Sequence, residues 1–549
     1  MTFDVIVVGG GTAGCALAAR LSEDPWRRVL LIEAGPDHPR TEDFPPEILD
    51  AGLMAAAIPG HPNNWSFVGH LTSDLDFPVP RGKVLGGSSA LNGTYNIRAR
   101  GSDFAEWAAL GNEEWSYEKC LPFLKAMEAD VDFGANRDRH GADGPLPIAR
   151  RQAGLHPVAQ AFHRACIDLG FPEEADKNGE QEPGIGPLPC NAVRGMRVNT
   201  GICYLNPVRH RPNLTVLGDT LVSRVVIEQQ RAVGVETVGR AGTARIAARE
   251  VIACAGAINS AKLLVLSGIG PDEDLRAIGV PVVKDAAGVG KGFCDHPDVL
   301  LFWRPKRALG KGDAQTGFEN VLNFASSSSR GESDLEILPS LVNLTESIYG
   351  RMGLVRKARH LAAALAQTGS WSFANLAQQF ARRNDLYFAL GLQQAESRGD
   401  IFIRSADPSA SPDIHYNYLE SARDRARMRE LIRLGAAILK SGAFAPLFDR
   451  LSDLDAPTLA DDGLLDAWAR AHLATTIHAC GTARMGPAGD RMAVVDQYGR
   501  VHGIAALRVA DTSILPTAPT RGPANSAVLI GERIADFVRR EDRQPAAAG

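Results

Sequence analysis

Residues 3–33 read FDVIVVGGGTAGCALAARLSEDPWRRVLLIE, and no other stretch narrows the choice of fold as much. Phe3 to Val8 is a β-branched run of the kind buried on both faces in a parallel sheet. It meets the pattern Gly9-x-Gly11-x-x-Gly14, then a helix-forming run to Leu21. Val29 to Ile32 gives a second strand, and Glu33 ends it. Strand, glycine turn, helix, strand and acid in that order point to a βαβ dinucleotide site. The glycines let backbone approach a pyrophosphate at a helix N-terminus, where free N–H groups favour an anion. Glu33 is placed to accept hydrogen bonds from ribose hydroxyls. These residues alone do not separate FAD from NAD.

The same start is apolar enough to suggest a leader peptide. It has no basic opening, and Gly9, Gly10, Gly11 and Gly14 interrupt the apolar run. It is expected to be a folded strand, turn and helix. The 549 residues allow two domains. A formal net charge of −5 gives no basic excess, which argues against a nucleic-acid partner. The eight cysteines are scattered without a CxxC pair, as expected in a reducing compartment. A cytoplasmic protein is therefore expected.

Three later stretches extend the nucleotide reading: RGKVLGGSSALNG at 81–93, CAGAINSAKLLVLSGIG at 254–270, and LRVADTSILP at 507–516 followed by GPANSAVLIGE at 522–532. With AGVGKGFCDHP at 287–297 and Ser405-Ala406-Asp407-Pro408, they stand in the order and spacing of one family. The chain resembles the glucose–methanol–choline oxidoreductases, FAD-dependent alcohol oxidases and dehydrogenases, from Phe3 to Val538. It departs at Asn96, where an aromatic residue or Ala is usual, with Tyr95 one position earlier. A second departure is Ala261, where Ser or Pro is usual.

The resemblance implies an α/β fold: a Rossmann-like FAD-binding domain with a second, α+β substrate domain of mostly antiparallel sheet plus helices. It implies that FAD meets Gly9, Gly11, Thr12, Ala13 and Gly14, then Glu33 and Ala34. Further contacts are implied for Arg81, Val84, Gly86, Gly87, Ser88, Asn92 and Gly93, for Val222, Ala255 and Gly256, and for Asp511, Asn525 and Ser526. Leu91 stands where relatives with covalent flavin carry a His, which implies non-covalent FAD.

The motif TIHACGTARMG at 476–486 holds His478 and Cys480. A metal half-site would need a second suitably spaced pair, and none follows, so no metal is expected. A reactive thiol would need a neighbouring base. An isolated His of this kind is most often a core residue. The resemblance instead places His478 as the catalytic base and Asn525 as its partner. A neutral imidazole with a pKa near ~6.5 is suited to removing a hydroxyl proton, and the Asn525 amide to holding the developing alkoxide. His296 and His502 are expected to be packing residues.

The implied reaction oxidises a primary or secondary alcohol by proton abstraction and hydride transfer. The alternative within the family is non-redox or light-driven chemistry of the lyase or fatty-acid photodecarboxylase type. The electron acceptor stays open among oxygen, quinone and a redox carrier. Residues 1–150, 195–297 and 471–540 are expected to bind FAD, 151–194 and 298–470 to bind substrate, and 541–549 to form a flexible tail. The segment 351–383 is basic, with apolar positions at helical spacing. It is expected to cover the substrate cavity or to rest peripherally on a membrane or partner.

Overall fold

A computed structural model describes residues 2–239, 242–329, 331, 333–350, 382 and 384–543. Apart from Arg382, the segment 351–383 lies outside the described residues, as does 544–549.

The β-branched run forms β1 (Phe3–Val8), the glycine turn leads into α1 (Thr12–Leu21), and β2 (Val29–Ile32) returns parallel to β1. Strand Leu214–Leu217 lies parallel beyond β2. On the other side β1 pairs with the long strand Gly242–Ala253, which is followed by Leu507–Val509. The long strand serves two sheets. Its second half, from Ala248, joins the parallel layer, while its first half pairs antiparallel with Arg231–Gly239. The nucleotide-site layer and a β-hairpin extension thus share one backbone.

Glycine sets the helix spacing here. A Cβ on Gly14 would meet the Gly9 carbonyl oxygen at 2.0 Å, and one on Gly531 would meet the Ala13 carbonyl oxygen at 2.5 Å. Gly14 therefore seats α1 on β1, and Gly531 lets the helix Ala524–Arg543 lie against α1. That helix runs three residues into the expected tail. Arg508 Nη2 holds Glu541 Oε2 at 2.6 Å, and Arg500 pairs with the same carboxylate, so its end is tied down.

A second sheet is antiparallel, in the order Phe448–Leu451, Pro297–Pro305, Leu386–Leu392, Leu335–Pro339, Asn320–Phe324, Ile185–Pro187. Strand Leu473–Thr475 also pairs with Pro297–Pro305 and leads directly to His478. The helix Ala422–Leu439 covers this sheet. Its N-cap Ser421 accepts from the Arg423 and Asp424 amides, and Gly435 lets it approach Leu301 and Leu390. A third sheet joins β3 (Phe67–Thr72) and β4 (Leu75–Val79) to the strands Asp400–Phe402 and Asp413–His415. Among the described residues, no helix is long and apolar enough to cross a membrane.

Candidate active site

A cavity of about 1120 Å³ runs from the β1–α1 turn to the inner face of the antiparallel sheet. At one end it is walled by Gly9, Gly11, Thr12, Ala13, Glu33, Ala34 and Val222. Its middle meets Arg81, Gly87, Ser88, Asn92, Gly93, Ala255, Gly256 and Asp511. At the other end stand His478, Tyr95, Asp298, Glu336 and Tyr387.

The wall suits a dinucleotide. No side chain caps α1, so its first-turn N–H groups are left for a ligand at the cavity. A Cβ on Gly87 would sit 2.6 Å from the Gly11 Cα, so glycine is required where the two loops meet. Asp511 braces a second helix start: Oδ2 accepts from the Gly256 amide at 2.9 Å and from Ser260 Oγ at 2.5 Å. The helix Ala524–Arg543 also presents its first turn, since Pro523, Ala524 and Ala527 line the cavity. There the buried Ser526 Oγ and Asn525 Oδ1 have no hydrogen-bond partner. Free helix N-termini, close glycines and unpartnered polar atoms fit FAD.

Glu33 has a second task that its motif does not reveal. Its Oε2 accepts from the Gly10 amide and its Oε1 from the Gly35 amide, both at 2.8 Å. The carboxylate closes the glycine turn as well as facing the nucleotide end. Burial pushes its pKa up to about 7, against the pull of those amides.

Five expected contacts, Asn525 and Ser526 among them, do not reach the cavity wall. Gly14 packs against β1. Val84 is buried in a small cluster with Phe44 and Ile48. Gly86 turns the chain at φ +90° against Asn199. These three hold the wall from behind.

The His478 end of the cavity is built around Asp295. Its Oδ1 accepts from the backbone amides of both His296 and His478, each at 2.7 Å. The turn into His478 needs Ile477 at φ +64°, a costly conformation for a β-branched residue. Arg81 Nη1 holds the Ile477 carbonyl at 2.5 Å.

The imidazole protons follow from their partners. His296 Nε2 donates to the Pro519 carbonyl at 3.0 Å. Burial pushes the His296 pKa down to about 4, so this ring is neutral and its Nδ1 is an acceptor. His478 Nδ1 lies 2.8 Å from that atom and 2.8 Å from Thr476 Oγ1. The Thr476 hydroxyl donates to the His296 carbonyl at 3.3 Å, which leaves its oxygen as an acceptor too. His478 Nδ1 therefore carries the proton, and His478 Nε2 keeps a lone pair beside Gly522. A Cβ on Gly522 would come 3.4 Å from that nitrogen, so glycine keeps the approach open. Burial, helped by His296 and Arg81, holds the His478 pKa well below the ordinary histidine range.

His296, expected to be a packing residue, is buried and hydrogen-bonded, and one of its bonds goes to His478. Asp295, His296 and Thr476 form the hydrogen-bonded surround of His478, and their adjacency in DHP and TIH was the signal in the sequence. Asn525 differs from expectation. It is fully buried, and its Nδ2 donates to Asn96 Oδ1 at 2.8 Å. One amide hydrogen is thus spent on Asn96, and Asn525 is not on the cavity wall although Pro523, Ala524 and Ala527 are. The family departure at Asn96 supplies the partner.

Cys480 is inert. Its thiol donates to the His478 carbonyl at 3.0 Å, and burial raises its pKa well above the ordinary thiol value. His502 packs against the Gly486 carbonyl at 3.1 Å.

Comparison with known proteins gives the family. The sequence profile of the GMC oxidoreductases matches residues 3–298 and 395–531. The chain is 36% identical over 531 residues to the protein named uncharacterized GMC-type oxidoreductase in thcA 5'region of Rhodococcus erythropolis, covering 96% of this chain and 97% of that one. It is 34% identical over 569 residues to oxygen-dependent choline dehydrogenase 1 of Chromohalobacter salexigens, covering 99% and 96%. Among solved structures, pyridoxine 4-oxidase of Mesorbium loti superposes with a TM-score of 0.86 at 28% identity over 98% of this chain and 99% of that one. A formate oxidase variant of Aspergillus oryzae, solved to study FAD modification, gives 0.84 at 26% over 98% of each. The chain belongs to the GMC oxidoreductase family, and it is an FAD flavoprotein oxidoreductase.

Proposed function

We propose that this protein oxidises a primary or secondary alcohol to an aldehyde or ketone, with His478 Nε2 as the base. The observation that carries the proposal is the lone pair on Nε2, fixed at the cavity by two acceptors on the opposite nitrogen. Bound non-covalently along the glycine-lined wall, FAD would supply the two-electron acceptor for the hydride of the carbinol carbon.

His478 takes the hydroxyl proton onto Nε2 as the carbon–oxygen bond gains double-bond character. The new positive charge spreads over the ring, and its Nδ1–H tightens on His296 and Thr476. Arg81, anchored on Ile477, adds a cation that favours an alkoxide and keeps the resting imidazole neutral. Asn525 holds the loop carrying Asn96 and Tyr95 through its bond to Asn96, and its second amide hydrogen is the one available to an oxyanion. The same proposal assigns residues 1–150, 195–297 and 471–540 to FAD binding and 151–194 with 298–470 to the substrate.

The substrate end supports an alcohol that carries a cation. Asp298 is buried there with Oδ1 unpartnered among the described residues, and Tyr95, Tyr387 and Phe302 stand on the same wall. Burial and the charge of Glu336 push the Asp298 pKa up to about 7. An ammonium group would hold it ionised, and aromatic faces attract the same charge. The proteins named choline dehydrogenase among the relatives act on such an alcohol by name.

The test is anaerobic mixing of the FAD-loaded enzyme with an alcohol panel in the dark. Bleaching of the oxidised flavin by ammonium-bearing alcohols, ahead of neutral ones of equal size, is expected. Bleaching by no alcohol, or activity that requires light, would overturn the reading.

A further inference from the structure

The third sheet places ligand-type side chains in one row across its outer face. His415 pairs with His70 in the parallel register, Asp76 lies opposite His70 on β4, and Asp413 precedes His415 by two residues. Laterally paired residues, and residues two apart on a strand, point to the same face. The neighbouring Ile414 and Ile401 point the other way and are buried. His70, Asp76, Asp413 and His415 therefore converge, although His70 and His415 are 345 residues apart (415 − 70).

Their atoms have the polarity of a metal site. His70 Nδ1 lies 2.6 Å from Asp76 Oδ1, so that nitrogen donates to the carboxylate. This bond orients the ring and places Nε2 toward Asp413 Oδ1, 3.3 Å away. A histidine that donates one ring N–H to a carboxylate and offers the other nitrogen is the usual metal-ligating pattern. His415 Nε2, itself shielded from solvent, lies 2.8 Å from the same Asp413 oxygen, so both imidazoles converge on it. Arg404 engages Asp413 through Oδ2 from both Nε and Nη2 at 3.2 Å. That contact orients the carboxylate and leaves Oδ1 turned to the histidines.

We propose that His70 Nε2, His415 Nε2 and Asp413 Oδ1 form a binding site for a divalent transition metal of the zinc class. One ligand atom from each of the three residues lies within 4.8 Å of the others, against ligand separations of roughly 3.3–3.6 Å implied by zinc bonds of about 2.0–2.2 Å. Two imidazoles and one carboxylate suit zinc better than calcium or magnesium, and three protein ligands leave one position for water. Asp76 and Asp413 outweigh Arg404 in local charge, which favours a cation. The metal would fasten Asp413–His415 to β3 where only two residue pairs join the strands.

The other described cluster of this type, Glu128, Asp130 and His140, is already neutralised. Arg98 and Arg150 pair with its carboxylates, and His140 bonds Glu128 and Asp176.

The test uses tag-free, FAD-loaded protein freed of metal by a chelator, then titrated with Zn²⁺ by calorimetry. One saturable equivalent is expected, and Co²⁺ in its place should give the visible absorption of a tetrahedral site. His415→Ala and Asp413→Asn should each lose the equivalent while keeping wild-type FAD content, and Asp76→Asn should weaken binding by roughly 10–100-fold. Zn²⁺ should also shield His70 and His415 of the wild type from diethylpyrocarbonate, read by peptide mass, a result that needs no variant to fold. Absence of a saturable equivalent in the wild type, an equivalent that survives in His415→Ala, or unshielded histidines would each overturn the proposal.

Discussion

His296 offers the sharpest perturbation of the proposed base. His296→Phe keeps a ring of similar size but removes the Nδ1 acceptor 2.8 Å from His478 Nδ1. Thr476 Oγ1 remains at 2.8 Å and still favours the same tautomer. Each neutral hydrogen bond contributes about 0.5–1.5 kcal/mol net. While one acceptor remains, most imidazole rings keep their lone pair on Nε2, so a single substitution should slow flavin reduction by no more than about 13-fold. Thr476→Val should behave alike. Removing both acceptors withdraws about 1–3 kcal/mol of bias, equivalent to about 5- to 160-fold. The double variant should therefore lose more than the product of the two single losses, because the population of the right tautomer stops being saturated. The assay is anaerobic stopped-flow bleaching of the oxidised flavin at saturating substrate, with FAD content as the folding control. A double variant that reduces its flavin at the wild-type rate would refute the tautomer argument. Strict multiplicativity would show that the two residues act on different things.

Other consequences are simpler. Acid or heat should release intact FAD into solution, because Leu91 cannot carry a covalent link; flavin that stays in the protein pellet contradicts this. Glu33→Ala leaves the buried Gly10 and Gly35 amides without acceptors, at about 1–3 kcal/mol each. It should lower both FAD affinity and melting temperature, and a loss of FAD with unchanged melting would show that Glu33 serves the nucleotide alone. Cys480→Ser keeps a donor to the His478 carbonyl, so its reduction rate should stay within about twofold of wild type; a dead variant would reopen a role for the thiol.

Local patterns were legible in the sequence where the physics is local. The β1–α1–β2 order and the need for glycine at Gly14 follow from short-range sterics and helix N-termini, and the chain folds that way. The two-sheet use of Gly242–Ala253 was not legible, because pairing partners are set by distant strands. The chemistry at His478 shows the same divide. Its position could be read from a motif, but the nitrogen that is free depends on His296, 182 residues away. That Asn525 also holds Asn96 was not legible, because nothing in its own segment shows that Asn96 takes one amide hydrogen. The pKa expectation near ~6.5 ignored burial beside Arg81, which moves the ring well below that value. His70 and His415 lie too far apart for any ligand-spacing pattern to reveal them.

The central claim is that a neutral His478 removes the substrate proton, and the pH profile of flavin reduction in the wild type and His478→Ala tests it most directly. His478 has a depressed pKa, so it is already neutral at pH 7 and gains a proton only well below the ordinary histidine range. The wild-type reduction rate should therefore be flat from neutrality into mild alkali and fall only as acid protonates the ring. His478→Ala should retain FAD, since the glycine wall and Glu33 are untouched, and should reduce it roughly 10²–10⁴-fold more slowly. A His478→Ala enzyme that retains FAD and reduces it at near the wild-type rate, with the same acid limb, would contradict the account.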